Sequence, residues 1–226
     1  MNISNILNVN KFTSNTMWSV IGFGISQGSS LIVFIIIARI LSKDDVASYA
    51  LMQNAIAVGM ACCGFWIGTG VTRFAALNSN LNKDLAGKYS FLGIISSFSL
   101  SFLAAILLFF FSEFFSNVLI GSSELDRYLK FVAIIIVFHS VDSVQIQTLQ
   151  SLVAFKEISK NNLIKAILFL PIMIFFVYKY SLDGAFYGLI LMGVINLIVN
   201  FFSVRKYFFI HNIQYSLFIR YNNFKE

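Results

Sequence analysis

The sequence contains few charged residues. Only 12% of its 226 residues are Asp, Glu, Lys or Arg, whereas a soluble domain carries about 25%. Hydrophobic residues make up 58% of the chain. This balance excludes an ordinary soluble domain, and the hydrophobicity also excludes an intrinsically disordered chain. The composition therefore indicates an integral membrane protein.

Proline, cysteine and histidine are also scarce. A single proline excludes a collagen-like or proline-rich chain. The two cysteines, Cys62 and Cys63, are adjacent and lack metal-ligand spacing, so we expect both to be buried, small apolar side chains. Nucleophile elbows, phosphate loops, paired metal-binding histidines and dinucleotide fingerprints are missing. The sequence predicts neither an enzyme nor a bound cofactor or metal.

Long apolar stretches fill most of the chain. A membrane-spanning helix needs about 20 apolar residues, and barrel strands would be shorter and would alternate in polarity. Six suitable stretches are present, and they cover residues 17–38, 47–67, 89–111, 128–152, 163–178 and 184–204. The sequence therefore predicts an all-α membrane protein with six transmembrane helices. Pro171 is expected to kink the fifth of them.

Basic residues are unevenly divided between the predicted loops. Eleven of the sixteen fall on one side of the membrane: Lys11, Arg73, Lys83, Lys88, Lys156, Lys160, Lys165, Arg205, Lys206, Arg220 and Lys225. The positive-inside rule assigns this side, and with it both termini, to the cytoplasm. Because the basic residues are scattered among short loops, a nucleic-acid partner is not expected. The predicted organisation is a cytoplasmic segment (1–16), a six-helix lobe (17–204) and a basic, aromatic tail at the cytoplasmic surface (205–226).

Small residues four positions apart allow helices to approach closely in lipid. Three glycine pairs have this spacing: Gly24 with Gly28, Gly64 with Gly68, and Gly184 with Gly188. In the first helix, Gly22, Ser26, Ser29 and Ser30 surround the pair. We expect this small-residue surface to face other helices or a cavity.

Polar residues inside the predicted spans are candidates for a substrate pathway, because such groups are costly in lipid. His139, Asp142 and Gln145 follow one face of the fourth helix and could bind a proton or cation, or hydrogen-bond a polar substrate. The alternative is a hydrogen-bonded pair that only fixes helix packing. Gln27 and Asn54 are weaker candidates, as are Gln53, Asn196 and Asn200. Arg39 and Arg73, at helix ends, either extend to lipid headgroups or contact a ligand.

Several segments resemble one family of transporters. The run from Asn15 and Trp18 through ARILS (38–42) and Tyr49-Ala50 to IGTGVTRF (67–74) is similar to the N-terminal helices of polysaccharide flippases of the multidrug/oligosaccharidyl-lipid/polysaccharide (MOP) exporter superfamily. LQSLVAFK (149–156) and DGAFYG (183–188) resemble later segments of these proteins. The resemblance covers nearly the whole chain.

The resemblance implies a function in surface polysaccharide assembly. Members of this family move undecaprenyl-pyrophosphate-linked oligosaccharides, the repeat units of O-antigen or capsule, across the bacterial inner membrane by alternating access. Their fold has two six-helix lobes around a polar cavity, so this chain resembles one lobe of a twelve-helix transporter. The first helix has no arginine before Arg39, which favours a sugar repeat unit over the peptidoglycan precursor.

The half-size length leaves three interpretations open: a truncated transporter, a half-size protein that dimerises, and a distinct six-helix transporter. We favour truncation, because residues 205–225 resemble a connector between lobes. Two alternatives to a flippase also remain. One is a cation-coupled drug exporter of the same superfamily, with His139 and Asp142 as the coupling pair. The other is a non-transporting partner of a glycan assembly complex. Expected partners are the lipid-linked oligosaccharide, membrane lipids, a second lobe or second copy, and the polysaccharide polymerase machinery.

Overall fold

The described part of the chain is helical and contains no strand. The computed structural model describes residues 3–78, 82–117 and 125–213, with side chains from Thr13 onward. Its helices are α1 (Ile3–Ile40), α2 (Lys43–Met60), α3 (Trp66–Asn78), α4 (Lys83–Phe110), the short α5 (Ser112–Phe115), α6 (Asp126–Ser151) and α7 (Phe155–His211). A π-helical segment, Ala61–Phe65, joins α2 to α3, so that residues 43–78 form one continuous rod.

Helices begin where the sequence supplies a side-chain cap. Ser42 accepts a hydrogen bond from the backbone N–H of Asp45, and Asn82 accepts one from Leu85, each at 3.2 Å. These caps satisfy backbone donors that the first turn of a helix leaves free. They fix the starts of α2 and α4.

α7 consists of two antiparallel halves separated at Ser181. This residue has φ 52° and ψ −130°, so the helical path breaks there. Met173 contacts Gly188, the ring of Phe176 lies 6.5 Å from that of Tyr187, and Asn161 Nδ2 donates to Asn200 Oδ1 at 2.9 Å. Residue numbers rise on one half as they fall on the other, which defines a helical hairpin. Residues 155–180 and 182–211 are therefore two membrane spans.

Within the described residues, five helices are long and apolar enough to cross a membrane, and the last contains both halves of α7. The structure thus confirms the predicted all-α fold with six spans. It also places the break between the last two spans inside the predicted interval 178–184. Pro171 lies within helical backbone, and the non-helical dihedrals occur at Ser181 instead.

The six spans alternate in direction. α1 runs parallel to the first half of α7, because Gly22 contacts Asn162 and Val33 lies beside Met173. α3 runs antiparallel to α4, because the carbonyl of Cys63 accepts from Ser97 while Phe74 stacks near Tyr89.

α6 runs parallel both to the α2–α3 rod and to the second half of α7. Ser140 meets Gly64 and Gln147 meets Thr72, while Asn200 donates to Asp142. The alternation places the two ends of the described chain on the same side of the bundle.

α6 is the central helix. It packs against α2, α3, α4 and α7, and most of its side chains are buried. Ile135, Ile136 and Phe186 are among the fully buried side chains of the main apolar cluster. Consequently, a buried polar side chain on α6 faces either another helix or a cavity.

The buried positions of α4 hold small residues, and many of its large apolar residues are exposed. Its buried positions are Ala86, Gly87, Ser90, Gly93, Ser97 and Ser101, whereas Leu92, Ile95, Phe98 and Leu103 are exposed. This pattern fits a lipid-facing helix, because small residues let helix backbones approach while large apolar side chains contact lipid.

Three predictions about small residues have mixed outcomes. Gly64 and Gly68 pack against Ser140 and Gln147, as expected, whereas Gly24 and Gly28 face open space. The cysteine prediction is wrong for Cys62, which is exposed, and correct for Cys63. The buried side of the π-helical segment contains Cys63 and Gly64, so the preceding Cys62 lies on the outer side of the rod.

The predicted boundaries of the six-helix lobe, at residues 17 and 204, fall inside helices of the structure. α1 begins at Ile3, so the segment 1–16 continues into the first span from residue 3 onward, and α7 extends past 204 to His211. Residues 214–226 of the predicted tail lie outside the described residues. The surface location of both segments stays a prediction.

Candidate functional site

A polar cavity lies between five of the six spans. It has a volume of about 450 Å³. Its polar lining residues are Ser26, Ser29 and Ser30 of α1, Tyr49 and Gln53 of α2, His139 and Asp142 of α6, and Asn162, Lys165 and Asn196 of α7. We call this the serine cavity. Because polar groups are costly at membrane depth, their concentration here indicates a wet pathway or a ligand site.

Helix geometry turns the α1 serines toward the cavity. Ser26, Ser29 and Ser30 lie three and four residues apart and so share one face of α1. The hydroxyls of Ser29 and Ser30 donate to the carbonyl of Ser26, at 2.9 and 3.1 Å. Their oxygens retain lone pairs that can accept hydrogen bonds from a ligand.

Opposite charges meet in the wall of the serine cavity. Lys165 Nζ lies 3.4 Å from Asp142 Oδ1, and the two side chains are only 12% and 9% exposed. Asp142 is nine residues before the end of α6 at Ser151, and Lys165 is ten residues after the start of α7 at Phe155. At 1.5 Å per residue, the pair lies about 15 Å from these helix ends, near the middle of a bilayer core.

A hydrogen-bond network fixes the carboxylate of Asp142. Asn200 Nδ2 donates to Asp142 Oδ1 at 2.6 Å. Asn161 Nδ2 donates to Asn200 Oδ1 and to Ser203 Oγ, both at 2.9 Å. The network connects α6 with both halves of α7, so it also fixes helix packing. Helix packing is the role that the sequence analysis gave as the alternative to ligand binding.

Two buried polar atoms in the serine cavity have no protein partner in the described structure. They are His139 Nε2 and Asn196 Oδ1. Buried polar atoms nearly always have a hydrogen-bond partner, so such atoms in a cavity wall indicate a bound water or ligand. They add a basic nitrogen and an acceptor oxygen to the groups that a polar ligand can meet.

A second cavity, of about 580 Å³, adjoins the first. His139, Asp142 and Ile146 line both, and its other polar lining residues are Thr69, Thr72, Arg73, Ser143, Gln147 and Gln150. We call this the threonine cavity. Thr72 Oγ1 donates to the carbonyl of Gln147 at 3.1 Å, and Gln147 Nε2 donates to the carbonyl of Phe65 at 3.1 Å. The second of these bonds supplies a partner to a backbone carbonyl where the π-helical segment ends.

The predicted pathway residues fall into three groups. His139 and Asp142 line both cavities, and Arg73 lines the threonine cavity. Gln145 is buried in the bundle, with an Oε1 atom that has no partner in the described part. Gln27, Asn54 and Arg39 are exposed on the surface and are not among the lining residues of either cavity. A pathway role for all seven stays a prediction.

Lys165 is the main residue that the sequence interpretation placed elsewhere. It was counted among the cytoplasmic basic residues, but the structure buries it beside Asp142. A signal was available, since Lys165 lies inside the apolar stretch 163–178. Its spacing of three from Asn162 also puts two polar side chains on one helix face. The pairing itself joins residues 23 positions apart on different helices and has no signature in the sequence.

The helical bundle and its polar cavities define a multi-pass membrane protein with cavities between its spans, an architecture found in membrane transporters. The family model MatE matches residues 19–175, more than half of the chain. The protein therefore belongs to the MatE family, a family of transporters in the MOP exporter superfamily. No curated protein and no solved structure matches the chain.

The family match supports two of the expectations in their general form. The fold is that of a MOP transporter lobe, and the protein is a membrane transporter by family. MatE proteins are transporters and not enzymes. Among the described residues, no group of three His, Cys, Asp or Glu side chains could hold a metal ion.

Proposed function

We propose that this chain moves lipid-linked oligosaccharide repeat units from the cytoplasmic to the periplasmic leaflet of a bacterial inner membrane. The serine cavity is the observation that carries the proposal. It offers hydroxyl, amide, imidazole, ammonium and carboxylate groups at the depth where a hydrophilic cargo must cross.

The chemistry of the serine cavity favours a sugar over an apolar drug. Each sugar hydroxyl both donates and accepts hydrogen bonds, and the amide side chains of Gln53 and Asn196 can do the same, while Ser29 can accept one. Sites for drug-sized molecules are predominantly hydrophobic and aromatic. Here more than half of the lining residues carry polar side chains. Neutral hydrogen-bonding groups suit a cargo with many hydroxyls.

The orientation of the chain is proposed from the distribution of its basic residues, and its cargo and partners are proposed from its family resemblance. Both termini are cytoplasmic, because the loops on their side contain most of the basic residues. The cargo is an undecaprenyl-pyrophosphate-linked repeat unit of O-antigen or capsule. A second lobe or second copy completes the cavity, and rocking between the two bodies alternates its access. Polysaccharide polymerase machinery receives the product.

Complementation tests the proposal. A bacterial strain that lacks its repeat-unit flippase but still synthesises the lipid-linked repeat unit would express this chain, and surface polysaccharide would be scored by immunoblot. We expect surface polysaccharide to return. If the chain is stably inserted in the membrane and no polysaccharide appears, the chain does not transport by itself. That result would favour a non-transporting partner in a glycan assembly complex.

Cation-coupled export of small molecules is a second candidate. It is favoured by His139 and Asp142, two ionisable groups that line both cavities. Asp142→Asn separates the candidates, because it removes the carboxylate that a coupling cation would need. Ion-dependent drug efflux that Asp142→Asn abolishes, together with no return of surface polysaccharide with the unsubstituted chain, would select the exporter and reject the flippase.

A further inference from the structure

The contact between Lys165 and Asp142 is long for a charged pair. Lys165 Nζ lies 3.4 and 3.5 Å from the two carboxylate oxygens. Charge-assisted bonds between ammonium and carboxylate groups are typically about 2.7–2.9 Å. Two surface pairs of this protein meet that length: Arg127 with Asp183 at 2.7 Å and Lys206 with Glu157 at 2.9 Å. The buried ammonium is therefore held loosely.

Asp142 has a closer partner than Lys165. Its bond from Asn200 Nδ2 is 2.6 Å long, and Asn161 in turn fixes Asn200. The carboxylate is thus held by a neutral amide network and does not depend on the ammonium for its position. Lys165 lines the cavity and has a flexible side chain with three donors.

We propose that Lys165 is an exchangeable anion-binding residue, and that Asp142 is the resident counter-anion from which it is released. A phosphate or pyrophosphate group entering the serine cavity takes the ammonium from Asp142, and the carboxylate recovers it when the ligand leaves. No covalent bond forms or breaks. This assignment rests on the proposed function, which supplies a pyrophosphate-linked cargo.

The competing carboxylate has a physical purpose in this scheme. An unpaired ammonium at this depth would be costly when the cavity is empty, and it would hold an anion so strongly that release would be slow. Asp142 offsets both effects, because it neutralises Lys165 in the empty state and competes with the ligand in the bound state. A transporter needs such moderate affinity, since its cargo must leave as well as enter.

Direct binding tests the exchange. The purified chain in phosphatidylcholine nanodiscs would be titrated with inorganic pyrophosphate and with farnesyl pyrophosphate, and farnesol would serve as the uncharged analogue. Lys165→Gln is expected to weaken binding of both anions at least about tenfold, the effect of losing one charge-assisted hydrogen bond. Asp142→Asn is expected to bind both more tightly and to release them more slowly. Farnesol binding should not respond to either change.

Lys130→Gln is the matched control. It removes the same charge from a helix-surface pair with Asp126, outside both cavities. We expect its affinities to stay within about twofold of the unsubstituted protein. If Lys165→Gln does not fold, the double variant Lys165→Gln with Asp142→Asn replaces it, because it leaves no unpaired buried charge.

Several results would overturn the proposal. The first is that the unsubstituted protein binds neither anion at millimolar concentration. The second is that Lys165→Gln, or the double variant that replaces it, binds the anions as tightly as the unsubstituted protein. The third is that Asp142→Asn binds them more weakly. A further arm adds phosphatidylglycerol to the nanodiscs. Farnesyl pyrophosphate binding that persists supports the pyrophosphate-linked ligand, whereas its displacement would identify a lipid headgroup as the occupant.

Failure of this inference is distinguishable from failure of the proposed function. Restored surface polysaccharide together with unchanged binding in Lys165→Gln would reject only the exchange. The expected binding pattern without restored polysaccharide would reject transport by this chain and leave the anion site in place.

Discussion

At the scale of single residues, the protein places one ammonium and one carboxylate near the middle of the bilayer. Taking two ions out of water is costly, and their attraction offsets that cost only while both are present. Asp142 has Asn200 as an additional partner, whereas Lys165 faces the cavity. Removing Lys165 alone would therefore leave an uncompensated buried carboxylate.

Lys165→Met is expected to destabilise the protein by about 3–5 kcal/mol, the typical effect of removing one partner from a buried pair. Combining it with Asp142→Asn should recover most of that loss, since asparagine keeps an acceptor for Asn200 and leaves no charge. Thermal unfolding in detergent measures both variants. Equal stability of the single and double variants would contradict the pairing.

The sequence revealed only one partner of this pair. Asp142 and His139 were predicted as functional because ionisable groups inside a span are conspicuous in an apolar stretch. Lys165 lies close to the predicted start of a span, where lysines usually reach the surface, so its charge was interpreted as an orientation signal. The true start of α7 at Phe155 adds two turns of helix before Lys165 and puts it at depth.

At the scale of helices, α4 shows how packing in lipid differs from packing in water. Its Ser97 is fully buried, and the hydroxyl donates to the carbonyl of Cys63 at 2.8 Å. Ser99, two residues later, is exposed. Both positions hold the same residue type, and they differ in the face of α4 on which they lie.

Ser97→Leu is expected to destabilise the bundle by about 1–3 kcal/mol, because the added side chain must fit where two helix backbones approach. Ser99→Leu is the matched control and should be neutral, since it adds an apolar side chain to an exposed position. Unfolding in mixed detergent compares the two. A Ser99→Leu variant as unstable as Ser97→Leu would mean that the assigned faces of α4 are wrong.

Hydropathy predicted all six spans but not their internal irregularities. Apolar length is a property of each segment alone, so the spans could be located to within several residues. The π-helical segment Ala61–Phe65 depends on partners elsewhere in the bundle, because Ser97 and Gln147 satisfy the carbonyls of Cys63 and Phe65. The hairpin between the last two spans was predicted as an interval, and its turn at Ser181 has a positive φ that the sequence does not signal.

At the scale of the whole molecule, six alternating spans place the ends of the described helices in two groups. Val153 and His211 lie at the end of the bundle where α1 begins, and Ser42 and Ser181 lie at the opposite end. Most basic residues belong to the first group. From this charge bias, we predict by the positive-inside rule that this end faces the cytoplasm.

Single cysteines can test this orientation in a background with Cys62→Ala and Cys63→Ala. A membrane-impermeant thiol reagent added to intact spheroplasts should label Ser42→Cys and Ser181→Cys. Val153→Cys and His211→Cys should be labelled only after permeabilisation. The reverse pattern would contradict the orientation, and labelling of Ser42→Cys and Val153→Cys from the same side would contradict the alternating fold.

The most direct test of transport through the serine cavity is flipping of a fluorescent, pyrophosphate-linked oligosaccharide in proteoliposomes. Ser29→Leu replaces a polar group of the cavity wall with a larger apolar side chain, and Ser99→Leu makes the same change on the exposed face of α4. We expect the unsubstituted protein and Ser99→Leu to flip the lipid-linked sugar. Ser29→Leu should flip it more slowly by at least about tenfold, because the added side chain displaces the cargo from its productive position. Equal rates for Ser29→Leu and the unsubstituted protein would contradict passage of the sugar through this cavity.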